Sequence, residues 1–192
     1  MNALQGYEYV TRRLIRLFVC TERLANRLAG WRPYYAPSVG ENDPARIVAD
    51  YVRDLAAANV VLAGQRTLEV GAGRSNGVGY GLIAAGATSA CLLEPFVAFD
   101  AARDAALRES SPAFAAVDPR KLRRVRDFSQ IADASIDLIL SNSVLEHVRE
   151  PRAFFAECRR VLVPGGAMLH RVDYRDHFFK YPYAFLTFSD AT

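Results

Sequence analysis

The chain has 192 residues, 51% apolar and 23% charged, which gives one soluble globular domain with a substantial core and leaves too little chain for two ordinary domains and a linker. A formal net charge of +3 is too mild to point to a nucleic-acid-binding face. Cys20, Cys91 and Cys158 are odd in number and far apart, with no C-x-x-C spacing, so they indicate neither a zinc site nor a disulfide framework and imply a reducing cytoplasm. No apolar run is long enough to cross a bilayer, and the first residues lack an apolar signal core with a cleavage site.

Residues 7–28 place Leu14, Leu17, Phe18, Leu24 and Leu28 at helical spacing among five arginines, which predicts an amphipathic helix. Such a helix can lie on an anionic membrane surface, act as a lid, or pack on the domain with its arginines in solvent. Residues 30–40 hold two prolines with Trp31, Tyr34 and Tyr35 and read as a loop. Asn42, Asp43 and Pro44 supply a cap followed by proline in the first turn, predicting a helix to about residue 58. Residues 1–60 are thus expected as a helical cap region and residues 61–192 as the ligand-binding domain.

The most informative stretch is Thr67 to Gly79, TLEVGAGRSNGVG: a short apolar strand, a glycine turn and a helix of resumed apolar spacing. Glycine lets the backbone turn at positive φ and approach a ligand, and the first helical N–H groups face the turn. The dinucleotide fingerprint G-x-G-x-x-G requires glycine at position 76, where Asn76 stands, so a nicotinamide oxidoreductase is disfavoured. Glu69, two residues before Gly71, suits a ligand bearing an ammonium group better than one bearing a pyrophosphate.

The helix ends at Gly86, and residues 90–93 form a second strand closed by Glu94. Glu94 follows Gly73 by 21 residues, close to the roughly 20 expected of a ribose-binding acid. Residues 96–108 read as a helix, 111–119 as a loop and 122–125 as a third strand leading to Arg126, Asp127 and Phe128. Asp127 also suits the cap of a short helix. Residues 135–140 form a fourth strand whose near-continuous apolar run suits a parallel sheet buried on both faces, with Ser141, Asn142 and Ser143 at its ligand-binding end. A helix over residues 151–162 follows, and Pro164-Gly165-Gly166 is expected to turn the chain into a fifth strand over 167–172.

The E-V-G-A-G run at 69–73 resembles the first motif of class I S-adenosylmethionine-dependent methyltransferases, with Ser75 where that family usually has a third small residue. The resemblance extends, in the family's order, to Leu92-Leu93-Glu94-Pro95, residues 135–148 and residues 161–166, and so covers about residues 60–175. It is nearest to the broad group that includes quinone-biosynthesis and other small-molecule methyltransferases. It implies a Rossmann-like doubly wound, mostly parallel α/β sheet with N-terminal helices over the cofactor site.

The implied cofactor is S-adenosylmethionine, held by Glu69, Gly71, Gly73, Ser75, Glu94, Pro95, Asp127, Phe128, Ser141 and Asn142, with no metal. In the resembled pattern the acid at 127 meets the adenine amino group and the apolar residue at 128 packs on the ring. The implied reaction is in-line methyl transfer to a small-molecule acceptor, with His147 or His177 as the base where the acceptor arrives protonated. A protein of this fold that binds ligand without turnover is the alternative. The resembled fold continues after the fifth strand with a helix and two strands, which need more chain than residues 174–192 provide, at about 11 residues per helix and about 5 per strand. The C-terminal strands are therefore expected to be missing or abbreviated. The sheet edge would then be covered by the aromatic tail or by a second copy of the chain, or the chain is a fragment.

Overall fold

Asp43 opens the first described helix, α1 (Pro44–Ala57), by accepting the Ala45 N–H on its side chain at 3.0 Å, with Pro44 in the first turn where its missing N–H costs nothing. Val48, Tyr51 and Leu55 recur three and four residues apart and make the buried stripe. The structure, a computed structural model, describes Tyr7 and residues 43–174, and residues 43–173 form one compact unit. The helix expected over 7–28, the aromatic loop over 30–40, His177 and the fate of the sheet beyond the fifth strand lie outside the described residues. No helix of the described residues is long and apolar enough to cross a membrane.

Five strands follow: β1 (Arg66–Val70), β2 (Ser89–Leu93), β3 (Leu122–Val125), β4 (Ile136–Asn142) and β5 (Leu162–Arg171). Among the described residues they form one sheet in the order β3-β2-β1-β4-β5, with every neighbouring pair parallel. Between them run α2 (Gly77–Ala84), α3 (Ala101–Glu109), the short α4 (Pro112–Ala115) and α5 (Pro151–Val161). The chain winds outward from β1 to β3, then crosses back to β4. The crevice at the C-terminal ends of β1 and β4 is therefore the switch point where open parallel sheets bind ligands.

Strand alternation divides the core. Leu68, Val70, Cys91, Leu93, Val125 and Ile139 pack against Cys158 and Val161 of α5 on one face. Leu138 and Leu140 point the other way, into Val48, Tyr51 and Leu55 of α1 and Val78 and Leu82 of α2. The helix expected over 42–58 is thus packed into the same core as the sheet. At the opposite end of the sheet, Arg66 of β1 grips Asp137 of β4 through its backbone N–H (2.8 Å), Nε (2.8 Å) and Nη2 (2.7 Å), fixing the register of the two central strands.

Three expectations are corrected. The helix expected over 96–108 begins only at Ala101, because the amides of Phe96 and Val97, which would have entered a first turn, are both taken by Glu94 Oε1 at 3.0 Å. Asp100 then caps α3 by accepting the Arg103 N–H at 3.0 Å. The expected loop over 111–119 contains α4, whose Phe114 is buried against Tyr80 at 5.9 Å between ring centroids. Finally, Pro164-Gly165-Gly166 does not precede β5 but lies within it. Ile136 pairs with Leu162 and Leu138 with Ala167, so the extra residues form a bulge. There Gly165 takes φ +81°, and a Cβ on Gly166 would meet the Asp137 carbonyl at 2.9 Å.

Candidate cofactor site

The glycine turn after β1 stands at the sheet's C-terminal edge. Gly71 (φ +81°) and Gly73 (φ +64°) take the left-handed conformation that residues with a Cβ avoid. Gly71 donates its N–H to the Leu93 carbonyl at 2.9 Å, and a Cβ there would lie 2.5 Å from Val144 Cγ2. The segment after β4 therefore closes directly over the turn. A Cβ on Gly73 would meet nothing within 4 Å, so the backbone at this point faces open space.

Glu94 pins this turn. It is 6% exposed, its Oε2 accepts the Gly73 N–H at 2.8 Å and its Oε1 accepts the amides of Phe96 and Val97. One lone pair of Oε2 is left for a ligand hydroxyl. The turn's carbonyls are held from the other side by Arg124 of β3, which donates to Gly73, to Ser75 (3.2 Å) and to the Asn76 side chain (3.3 Å). Asp104 of α3, 8% exposed, accepts the Asn76 N–H at 2.6 Å and the Tyr80 hydroxyl at 2.6 Å, anchoring the start of α2. Sequence reading missed both residues. Arg124 was signalled only by a charge within a short strand, and the surface-like sequence of α3 gives no sign that Asp104 is buried.

Glu69 is 4% exposed, and among the described residues no group donates a hydrogen bond to it. Burial pushes its carboxyl up to about 8; the Arg124 guanidinium opposes that rise and the Glu94 carboxylate adds to it. Leu68 and Val70 belong to the α5-side cluster, so alternation sends Glu69 to the α1 side of the sheet. A buried acid that holds its proton at neutral pH is poised to exchange it for a ligand cation.

At the end of β4, Ser141 is fully buried and its Oγ lies 2.8 Å from His170 Nδ1 on β5. Burial lowers the pKa of His170. Asn142 Oδ1 accepts from Arg171 at 3.4 Å, and Ser143 turns the chain at φ +55° while donating its N–H to the Arg171 carbonyl at 2.8 Å. His147 is exposed in the 3-10 turn Leu145–His147. Both carboxylate oxygens of its neighbour Glu146 are buried with no hydrogen-bond partner. Asp127 caps the 3-10 turn Phe128–Gln130, its Oδ1 accepting the Ser129 N–H at 2.7 Å, which lowers its pKa. Phe128 stands edge-on to Phe154 at 5.9 Å, and the Pro95 carbonyl accepts from Arg126 at 2.8 Å.

These features define a doubly wound α/β protein whose central strand ends present a glycine turn and two buried carboxylates to one ligand. A family model described as a methyltransferase domain matches residues 68–170, more than half of the chain, and the chain belongs to that family, the class I S-adenosylmethionine-dependent methyltransferases. The cofactor of the family is S-adenosylmethionine.

Among curated proteins, the chain is 49% identical over 39 residues to a malonyl-[acyl-carrier protein] O-methyltransferase of Hahella chejuensis, a match spanning 20% of this chain and 14% of that protein. Among solved structures, a sarcosine dimethylglycine methyltransferase candidate from Galdieria sulphuraria matches with TM-score 0.50 and 24% identity, over 65% of this chain and 46% of its own. An S-adenosylmethionine-dependent methyltransferase from Thiobacillus denitrificans, solved in complex with S-adenosyl-L-homocysteine, matches with TM-score 0.45 and 12% identity, over 65% and 47%. The chain spans about half the length of these solved structures.

Proposed function

We propose that the chain binds S-adenosylmethionine across the ends of β1, β2 and β4 and transfers its methyl group to a small-molecule acceptor. The observation that carries this reading is the pairing of Glu69 and Glu94, two buried acids on adjacent strand ends, around a glycine turn with open space at Gly73. The fit to the cofactor is chemical. Glu69 would take the amino-acid ammonium, Glu94 the ribose hydroxyls through Oε2, and Asp127 the adenine amino group through the oxygen not used in its cap, with Phe128 beside the ring. Gly71, Gly73 and Ser75 would bring backbone close to the ligand, and Pro95, Ser141 and Asn142 would line the strand ends.

S-adenosylmethionine, when bound, supplies a methyl group already activated by its sulfonium. The protein's part is to hold that group in line with the acceptor and to exclude water, and orientation of this kind can supply several kcal/mol, up to about 7–11 in well-oriented systems. His147, on the turn after β4, and His177 are the candidates for taking a proton from the acceptor. The short match to an O-methyltransferase supports oxygen as the acceptor atom. A carboxylate acceptor would need no base, and a hydroxyl would.

Isothermal titration with S-adenosylmethionine, followed by transfer of a labelled methyl group to a panel of carboxylic and hydroxylated acceptors, tests the reading. Glu94→Ala should weaken cofactor binding, and His147→Ala should slow transfer while leaving binding intact. Cofactor binding without transfer to any acceptor would favour the non-catalytic alternative. No binding at all would overturn the proposal.

A further inference from the structure

Tyr51 has no use in the cofactor reading so far, yet it is the most anomalous buried group in the described core. Its side chain is 0% exposed and its ring sits among Val48, Leu55, Val78, Leu82, Leu138 and Leu140. Its hydroxyl makes no hydrogen bond. A buried phenol hydroxyl without a partner destabilises the fold relative to phenylalanine, which would fill the same space with no polar atom to desolvate. An apolar core gives no reason for the hydroxyl, so its partner is to be sought outside the described chain.

The surroundings identify that partner's chemistry. The groups acting on the phenol are Glu69, from β1 on the same face of the sheet, and Arg171 at the end of β5. Arg171 is already committed to Asp50 at 2.6 Å and Asp54 at 3.3 Å, both on α1. Glu69 has no such commitment among the described residues. A hydroxyl lone pair beside an unclaimed buried carboxylate makes a two-point acceptor for a group with several N–H donors and a positive charge.

We propose that Tyr51 is a cofactor-positioning residue whose hydroxyl, together with Glu69, receives the α-ammonium of the amino-acid end of the ligand. This rests on the S-adenosylmethionine reading above and extends it from the sheet to α1. The ligand would join α1 to β1 through one ammonium group, which makes the hydroxyl's lack of a partner a property of the empty site.

The test is calorimetric titration of the full chain and its Tyr51→Phe variant with two probes: S-adenosylhomocysteine, which has the amino-acid end, and 5′-methylthioadenosine, which lacks it. Tyr51→Phe should bind S-adenosylhomocysteine about tenfold more weakly, as expected of one lost hydrogen bond to a charged group, with unchanged affinity for 5′-methylthioadenosine. The melting temperature of the empty variant should equal or exceed that of the wild type, which separates a ligand contact from a folding defect. Equal weakening for both probes would mean that Tyr51 only shapes the site and would overturn the proposal, as would unchanged affinity for both. Failure of the wild type to bind S-adenosylhomocysteine would sink the cofactor reading itself, and the role of Tyr51 with it.

Discussion

Glu69→Gln isolates one buried carboxyl as a source of pH dependence. In the fold, burial holds the Glu69 proton up to about pH 8, whereas in the unfolded chain it leaves near the ordinary value of 4.5. A folded pKa raised in this way contributes stability that is complete below 4.5 and is lost as pH rises through 8. At about 1.4 kcal/mol for each pH unit, the gap between 4.5 and 8 caps the loss at about 5 kcal/mol. Urea unfolding of the empty protein between pH 4.5 and 9 should show wild type losing several kcal/mol relative to Glu69→Gln, because the amide is neutral throughout. The difference between the two curves removes the contribution of every other titrating group. Binding should run in the opposite sense: a ligand ammonium favours the carboxylate, so S-adenosylhomocysteine should displace the proton near pH 7 and give a binding enthalpy that depends on the buffer. Parallel stability curves for the two proteins, with no buffer dependence in wild type, would refute the reasoning.

Gly71→Ala puts a Cβ both into the left-handed region, at φ +81°, and within 2.5 Å of Val144 Cγ2. Chemical denaturation should show a loss of about 1–3 kcal/mol, together with weaker S-adenosylhomocysteine binding, and adding Val144→Ala should restore only the part due to the clash. Asp137→Asn removes the partner of Arg66, whose guanidinium holds the Asp137 carboxyl down to about 2. That stability is present above the unfolded value of 3.8 and is lost as pH falls toward 2. Because Arg66 is 44% exposed, the cost at pH 7 should be only about 1 kcal/mol, and the gap to wild type should close between pH 4 and pH 2 in denaturation curves.

What the sequence by itself determined was the order of elements and the chemistry at the strand ends. Apolar runs separated by glycine marked β1, β2, β3 and β4, Asp43-Pro44 marked the start of α1, and the spacing from Gly73 to Glu94 put both at one edge. These are local signals, set by backbone freedom and by a periodicity of two or 3.6 residues. Asp127 shows where local reading stops, since one acid can cap a turn with one oxygen and face a ligand with the other, and only the first is visible in the fold.

Tertiary structure alone decided the rest. Glu94 halted the helix expected from 96 by capturing its first amides, and the bulge carried Pro164-Gly165-Gly166 into β5. Arg124 and Asp104 became supports of the glycine turn only because β3 and α3 were brought beside it, 51 and 28 residues away in the chain. Tyr51 reads in sequence as one more apolar position of an amphipathic helix. Its hydroxyl acquires meaning only when strand alternation turns Glu69 toward the same face of the sheet, because the energy of a buried polar atom depends on what surrounds it and a linear pattern carries no record of that.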